Sequence, residues 1–157
     1  MDKRIYEHND INNPKYLFHG SPKKLDKIIP HQAHDSNGNE ENEDYAVFLT
    51  SSFIIASAYA FKDKIKEISD DLDYNFNIGC TNDNDYFVDI ENVRISDSIY
   101  GYIYVFPFDE AKVKYSGGAQ YKYYGELEPI DVIKINFKDY RDKYNIKEGE
   151  STFINKI

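Results

Sequence analysis

The chain has 157 residues, a formal net charge of -9 and a hydrophobic fraction of 41%. This length predicts one domain with a buried core, and the 15 Tyr and 10 Phe argue against intrinsic disorder. The negative charge makes nucleic acid an unlikely partner, because nucleic-acid affinity rests on Lys and Arg that neutralise phosphates. The one cysteine, Cys80, excludes an internal disulfide and a cysteine-based metal site.

The sequence offers no membrane signal. Its start, MDKRIYEHND, lacks the apolar segment of a signal peptide. The longest apolar run, FIIASAYAF, is too short to cross a bilayer. We therefore expect no membrane association and a cytoplasmic location, in the producing cell or in a host.

The first third of the chain predicts an arm, short extended pieces and an acidic loop. Residues 1–15 are polar and are expected to be a loosely held arm ahead of one domain at 16–157. Tyr16–Phe18 predicts a short strand, and Leu25–Ile29 predicts another extended piece. Five acids in 35–44 indicate a solvated loop.

One amphipathic helix is predicted at about 52–68. A strand at Ala46–Leu49 precedes it, and TSS at Thr50–Ser52 is a typical N-cap cluster. Apolar residues then recur at helical spacing, at Ile54, Ala58, Phe61, Ile65 and Ile68.

The second half of the chain is rich in strand signals. The polar, acidic segment 70–91 is interpreted as a long loop or a mixed insertion, and YSGGAQ as a turn or mobile loop. Strands are predicted within Arg94–Pro107, QYKYY and DVIKINF, and a short helix at Lys138–Tyr144. Strands that follow one early helix predict an α+β fold with a mostly antiparallel sheet.

Two histidine patterns are candidate sites. His31 and His34 form an HxxH pair, but no HExxH motif accompanies it, and we predict no metal site there. His19 ends a strand, and Gly20 after it would let a ligand approach the backbone closely. A histidine bonded to a backbone carbonyl in a turn explains the same residues, so both interpretations stay open.

The blocks HGSP, VFLTSSFIIASAYA, GYIYVFP and QYKYYGELEPIDVIKI together resemble the ADP-ribosyltransferase fold. More narrowly, the chain looks like small bacterial and phage proteins in which an HGS strand precedes a VFAT-like strand and a helix. The resemblance extends over Tyr16–Phe137 in scattered blocks. It implies a split, mostly antiparallel sheet, NAD+ as substrate or ligand, and the His-Tyr-Glu branch that includes the poly(ADP-ribose) polymerases.

The resemblance also implies residue roles around NAD+. His19 would bind the nicotinamide ribose, Gly20 the carboxamide, and Ser21 would add a contact. Tyr59 matches a helical tyrosine that stacks on the nicotinamide, although ordinary core packing explains it equally. The strand tyrosine of the branch falls on Phe48, which keeps an aromatic ring but lacks the hydroxyl.

The catalytic position is where the chain departs from the branch. The branch has a glutamate at the start of a late strand, and the pattern puts Gln120 there. An amide can bond to a ribose hydroxyl but carries no charge to stabilise a developing cation. Glu126 and Glu128 form an E-x-E before a strand, similar to the glutamate motif of the Arg-Ser-Glu toxin branch. They are alternative catalytic candidates, or a pair of exposed turn acids.

Three functions follow from these inferences. The first is a domain that binds NAD+ or an ADP-ribose-type nucleotide, either as a mono-ADP-ribosyltransferase with a protein acceptor or as a degenerate one. The second is a non-catalytic binder that sequesters a nucleotide signal. The third is an acidic protein that inhibits or mimics a charged protein partner, with HGSP serving as a turn.

Overall fold

The computed structural model describes residues 3–25, 28, 31–32, 45–81 and 85–149. This part of the chain has the expected α+β fold, with mostly antiparallel strands in two sheets and one long helix. The elements in chain order are α1 (Lys3–Glu7), β1 (Tyr16–Ser21), β2 (His31–Gln32), β3 (Tyr45–Thr50), α2 (Phe53–Ile68), β4 (Asn75–Cys80), β5 (Tyr86–Val93), β6 (Tyr100–Pro107), β7 (Lys114–Gly117), β8 (Gln120–Tyr123), β9 (Asp131–Asn136), 3-10 helices at Phe137–Asp139 and Arg141–Lys143, and β10 (Asn145–Glu148).

The larger sheet has the strand order β7-β8-β3-β1-β6-β9, and β2 also pairs with β3. Strands β1 and β6 pair over the whole of β1, from Tyr16 to Ser21. In contrast, β1 and β3 pair in the described residues only through Phe18 and Thr50. The sheet is therefore split where the second half of β1 diverges from the first half of β3.

Helix α2 follows the predicted pattern closely. The Ser52 hydroxyl oxygen accepts the Ile55 N–H at 3.2 Å, which satisfies a donor of the first turn. The predicted core positions are buried as far as Ile65, whereas Ile68, the last helical residue, is 39% exposed. The N-cap cluster and the apolar periodicity thus defined this element correctly.

Two glycines let α2 lie directly against β1 and β6. A Cβ atom on Gly20 would be 2.0 Å from the Ala56 carbonyl oxygen and 2.8 Å from the Ala60 nitrogen. A Cβ atom on Gly101 would be 2.8 Å from the Ala60 carbonyl oxygen. Because these obstacles are backbone atoms that cannot rotate away, both positions need glycine for packing.

A second sheet, with the order β10-β5-β4, completes the core around α2. Val88, Ile90 and Val93 of β5 belong to the same buried cluster as the α2 side chains. The prediction of a loop or mixed insertion at 70–91 is therefore wrong for most of the segment, which forms β4 and part of β5. The strands were missed because one face of each is polar, so the composition resembles that of a loop.

The N-terminal segment is packed on the domain. Tyr6 is 1% exposed and donates a hydrogen bond to an Asp131 carboxylate oxygen at 2.9 Å. The Asn9 amide donates to the carbonyl oxygens of Tyr16 and Ser51, both at 2.9 Å. The expectation of a loosely held arm is wrong for residues 3–15, because a single buried tyrosine anchors a helix of five residues.

Three smaller expectations have different outcomes: the turn in YSGGAQ is confirmed, the helix at Lys138–Tyr144 is wrong, and the extended piece at Leu25–Ile29 is described only at Leu25 and Ile28. YSGGAQ contains the end of β7 and a turn in which Gly117 and Gly118 have positive φ angles. The predicted helix at Lys138–Tyr144 is replaced by 3-10 turns that lead into β10, which pairs parallel to β5. Within Leu25–Ile29, Ile28 pairs with Leu127, while the acidic segment 35–44 lies outside the described residues.

Candidate functional site

The His19 side chain connects the two diverging strands. Its Nδ1 atom lies 2.8 Å from the carbonyl oxygen of Phe48. A carbonyl oxygen can only accept, so Nδ1 carries the proton, and Nε2 of the neutral ring is then an acceptor. A side chain thus spans the place where main-chain pairing between β1 and β3 has ended.

The turn after β1 is held by internal hydrogen bonds. Ser21 is buried, and its hydroxyl oxygen accepts the Lys23 N–H at 3.2 Å. The Tyr104 hydroxyl donates to the Lys23 carbonyl oxygen at 3.0 Å and accepts the Leu25 N–H. Ser21 therefore has a structural role in this turn. At Gly20 the close approach that was expected of a ligand is made by the backbone of α2 instead.

Phe48 and Gln120 lie on neighbouring strands. In the register of β3 and β8, Thr50 pairs with Gln120 and Phe48 pairs with Lys122. Directly paired residues of antiparallel strands share a face, so these four side chains lie on one face of the sheet. Gln120 is the first residue of β8.

Lys122 is the residue that the sequence interpretation missed. It is 3% exposed, and its ammonium group lies 5.9 Å from the centre of the Phe48 ring. The signal was present in QYKYY, because strict alternation puts Lys122 on the face of Gln120 and opposite to Tyr121.

The side chains of His19 and Phe48 project to different faces of the sheet. His19 alternates with Phe18 along β1, and Phe18 pairs with Thr50, which shares the face of Phe48. The contact between the two residues accordingly runs through the Phe48 main chain. A ligand that touches both side chains has to enter the opening between the strands.

Tyr59 lies on the side of α2 opposite to Phe61. Phe61, two residues or about 200° further round the helix, packs on Phe137 just after β9, with ring centres 5.4 Å apart. Tyr59 therefore points away from Phe137 and from the end of β9. Its residue surface is 45% exposed, yet burial of the hydroxyl raises its pKa. The Ala60 nitrogen beside Gly20 is bonded to the Tyr59 carbonyl carbon, so α2 brings Tyr59 close to β1.

Glu126 and Glu128 lie beyond the other end of β8 from Gln120. Both are exposed, and they flank Leu127, whose backbone pairs with Ile28. The length of β8 alone separates them from Gln120 by roughly 10 Å. In the described residues, the structure brings the His19 ring to the Phe48 main chain and places Phe48 and Gln120 on one face of neighbouring strands, whereas the E-x-E pair lies beyond the far end of β8.

A groove of about 360 Å³ lies elsewhere. It includes Tyr121, whose side chain is on the face of β8 opposite to Gln120. None of the predicted site residues lines it. Its lining residues are Ile11, Asn12, Asn13, Pro14, Phe108, Glu110, Val113, Tyr115, Gly118 and Tyr121.

The described residues contain no cluster of His, Cys, Asp or Glu that could hold a metal ion. His31 is in β2, and His34 lies outside the described residues, so the HxxH pair is not tested. Among the described helices, none is long and apolar enough to cross a membrane.

Comparison with known proteins adds no family assignment. No family model matches the chain, and no curated protein or solved structure is significantly similar to it. A functional assignment therefore rests on the site residues themselves.

Proposed function

We propose that this chain is a nucleotide-binding domain that takes NAD+ or an ADP-ribose-type ligand at the split between β1 and β3. One observation carries the proposal. His19, Phe48 and Gln120, the three positions that the resemblance assigns to the ligand, are far apart in sequence but lie on three consecutive strands, β1, β3 and β8.

The chemistry of His19 suits a ribose. Because the Phe48 carbonyl oxygen fixes the proton on Nδ1, Nε2 of the neutral imidazole accepts a hydrogen bond. A ribose hydroxyl is a matching donor. The same hydrogen bond fixes the ring orientation, which lowers the entropy cost of binding.

Tyr59 supplies an aromatic ring on the helix side of the opening. Stacking of a base on an aromatic side chain is worth roughly 1–3 kcal/mol in single-strand binders, and a nicotinamide or adenine ring is a comparable partner. The backbone of α2 lies against Gly20, and in this proposal Tyr59 closes the site on the side of that helix.

Gln120, the residue at the start of β8, favours binding of NAD+ without rapid turnover. Cleavage of the nicotinamide–ribose bond develops positive charge on the ribose, and Gln120 offers no carboxylate to stabilise it. Loss of such an electrostatic contribution costs roughly 3–4 kcal/mol of barrier by comparison with one oxyanion-hole donor. We therefore propose a binder whose NAD+ consumption is slow or absent.

Calorimetry with a matched pair of histidine variants tests this proposal. The wild-type protein is titrated with NAD+, ADP-ribose and nicotinamide at millimolar concentration, in parallel with His19→Ala and His8→Ala. His8 is a suitable control because its Nδ1 also bonds a backbone carbonyl, that of Arg4 at 2.7 Å, but on the exposed helix α1.

We expect measurable binding that His19→Ala weakens and His8→Ala leaves unchanged. Absence of heat from the folded wild-type protein with all three ligands would contradict nucleotide binding. That outcome would favour the acidic interaction protein instead.

A further inference from the structure

Two lysine side chains converge on one exposed tyrosine at the end of the large sheet. The Lys64 ammonium of α2 lies 3.7 Å from the centre of the Tyr100 ring, and the Lys134 ammonium of β9 lies 4.5 Å from it. The sum of these distances, 8.2 Å, is the largest separation that the two nitrogens can have. An anion within reach of both ammonium groups would be attracted by each of them.

No carboxylate in the described part of the chain supplies that attraction. Lys64 donates a hydrogen bond to the Tyr100 carbonyl oxygen at 2.6 Å, and neither lysine forms an ion pair there. Tyr100 itself is 41% exposed, so the cluster is open to solvent.

The chemistry of the cluster suits a compact, multiply charged oxyanion. Each ammonium group has three donors, and the ring of Tyr100 holds both groups through cation–π attraction. A phosphate or diphosphate group carries several acceptor oxygens and can bridge two ammonium groups, which a single carboxylate does less well. A nucleobase fits less well, because two ammonium groups attract anions and a base carries no charge.

We propose that Lys64, Tyr100 and Lys134 form a binding site for a phosphate-bearing small molecule. This site is distinct from the split between β1 and β3, and it does not depend on nucleotide binding there. Tyr102, whose ring centre is 6.1 Å from that of Tyr100, pairs across the sheet with Lys134 and borders the site. The patch is a local basic surface on an acidic protein.

The test is a calorimetric titration with inorganic pyrophosphate at low ionic strength, where screening is weak. Lys64→Gln and Lys134→Gln should each weaken binding about three- to tenfold, the range for loss of one charge-assisted contact. Tyr100→Leu, which keeps apolar bulk but removes the aromatic face, should also weaken it. Lys138→Gln is the matched control, since it makes the same charge change at an exposed lysine outside the cluster.

Three outcomes would overturn the proposal. They are no binding of millimolar pyrophosphate by the wild type, equal loss in Lys138→Gln, and tighter binding of a single-stranded oligonucleotide that is lost in the same variants. Parallel titrations with inorganic phosphate and ADP identify the source of the ligand group. Equal affinity for ADP and pyrophosphate indicates recognition of the diphosphate alone, and tighter ADP binding indicates a nucleotide.

Discussion

At the residue scale, a substitution at Gln120, the first residue of β8, distinguishes a nucleotide binder from an enzyme that consumes NAD+. Gln120 pairs with Thr50. In the proposed function, a carboxylate at this position would face the positive charge that develops on the ribose. A carboxylate there would favour the cationic transition state over the ground state, so it should raise the rate more than the affinity. We expect Gln120→Glu to increase NAD+ hydrolysis or transfer above a wild-type rate that is slow or zero. Chromatographic measurement of nicotinamide release checks this.

Glu126→Gln and Glu128→Gln are the matched controls for that experiment. Both carboxylates lie beyond the far end of β8, so we expect little effect on nicotinamide release. Brisk wild-type activity that either control abolishes, with no response to Gln120→Glu, would move the catalytic acid to the E-x-E segment.

At the scale of residues, the sequence predicted where the candidate residues lie along the strands but not which atoms they contact. The His-Gly pair and the glutamine at a strand start could be located from local pattern alone. The bond from His19 to the Phe48 carbonyl could not, because it depends on where β1 and β3 diverge. Lys122 could have been found, since alternation in a four-residue strand already puts it beside Gln120.

At the scale of elements, helix α2 packs directly against strand β1, and Gly20 allows this close approach because it has no Cβ atom. Gly20→Ala would put a methyl group 2.0 Å from the Ala56 carbonyl oxygen, so α2 must move. We expect the free energy of unfolding to fall by about 1–3 kcal/mol, as for other overpacked sites. Urea denaturation measures this.

Gly79→Ala is the control for Gly20→Ala. Its new methyl group would meet only the Phe87 ring, at 2.8 Å, and a side chain can rotate away where a backbone cannot. We expect a much smaller loss. Equal losses in both variants would show that the close approach of α2 does not limit stability.

The elements that could be predicted are those with a strong local signal. Helix α2 has both an N-cap cluster and a full apolar stripe, and its bounds were correct within one residue. Strands β4 and β5 alternate polar with apolar residues, which made an acidic stretch look like a loop. Strand β10, with the sequence NIKE, has too few residues to carry a pattern, and only its parallel pairing with β5 defines it.

At the scale of the whole molecule, buried tyrosines hold the two sheets and α2 together. The Tyr144 hydroxyl is hydrogen-bonded to Ser57, whereas the Tyr140 hydroxyl is buried with no partner among the described residues. Tyr140→Phe should therefore leave stability unchanged or raise it. Tyr144→Phe should lower it by about 0.5–1.5 kcal/mol, the usual value of one hydrogen bond. A larger loss of thermal stability in Tyr140→Phe than in Tyr144→Phe would contradict this, because it would require a hydrogen bond from the Tyr140 hydroxyl.

The same tyrosines predict a loss of stability at alkaline pH. Burial, together with the bond to Asp131, raises the pKa of Tyr6 to about 12, and burial raises the pKa values of Tyr140 and Tyr144 as well. The folded state thus keeps protons that the unfolded state loses near pH 10, so stability falls as pH rises from about 10 to about 12. Urea denaturation across this range should show the decline, and Tyr6→Phe should reduce its slope. An unchanged slope would contradict the assignment for Tyr6.

Chemical-shift mapping by NMR tests the central claim most directly, because it locates a ligand on the folded chain in solution. Titration of the labelled protein with NAD+ or ADP-ribose should shift the amide signals of His19, Gly20, Phe48, Tyr59 and Gln120 most. Signals at Glu126 and Glu128 should move little. The largest shifts at the Tyr121 groove, or no shift at millimolar ligand, would contradict a nucleotide site between β1 and β3.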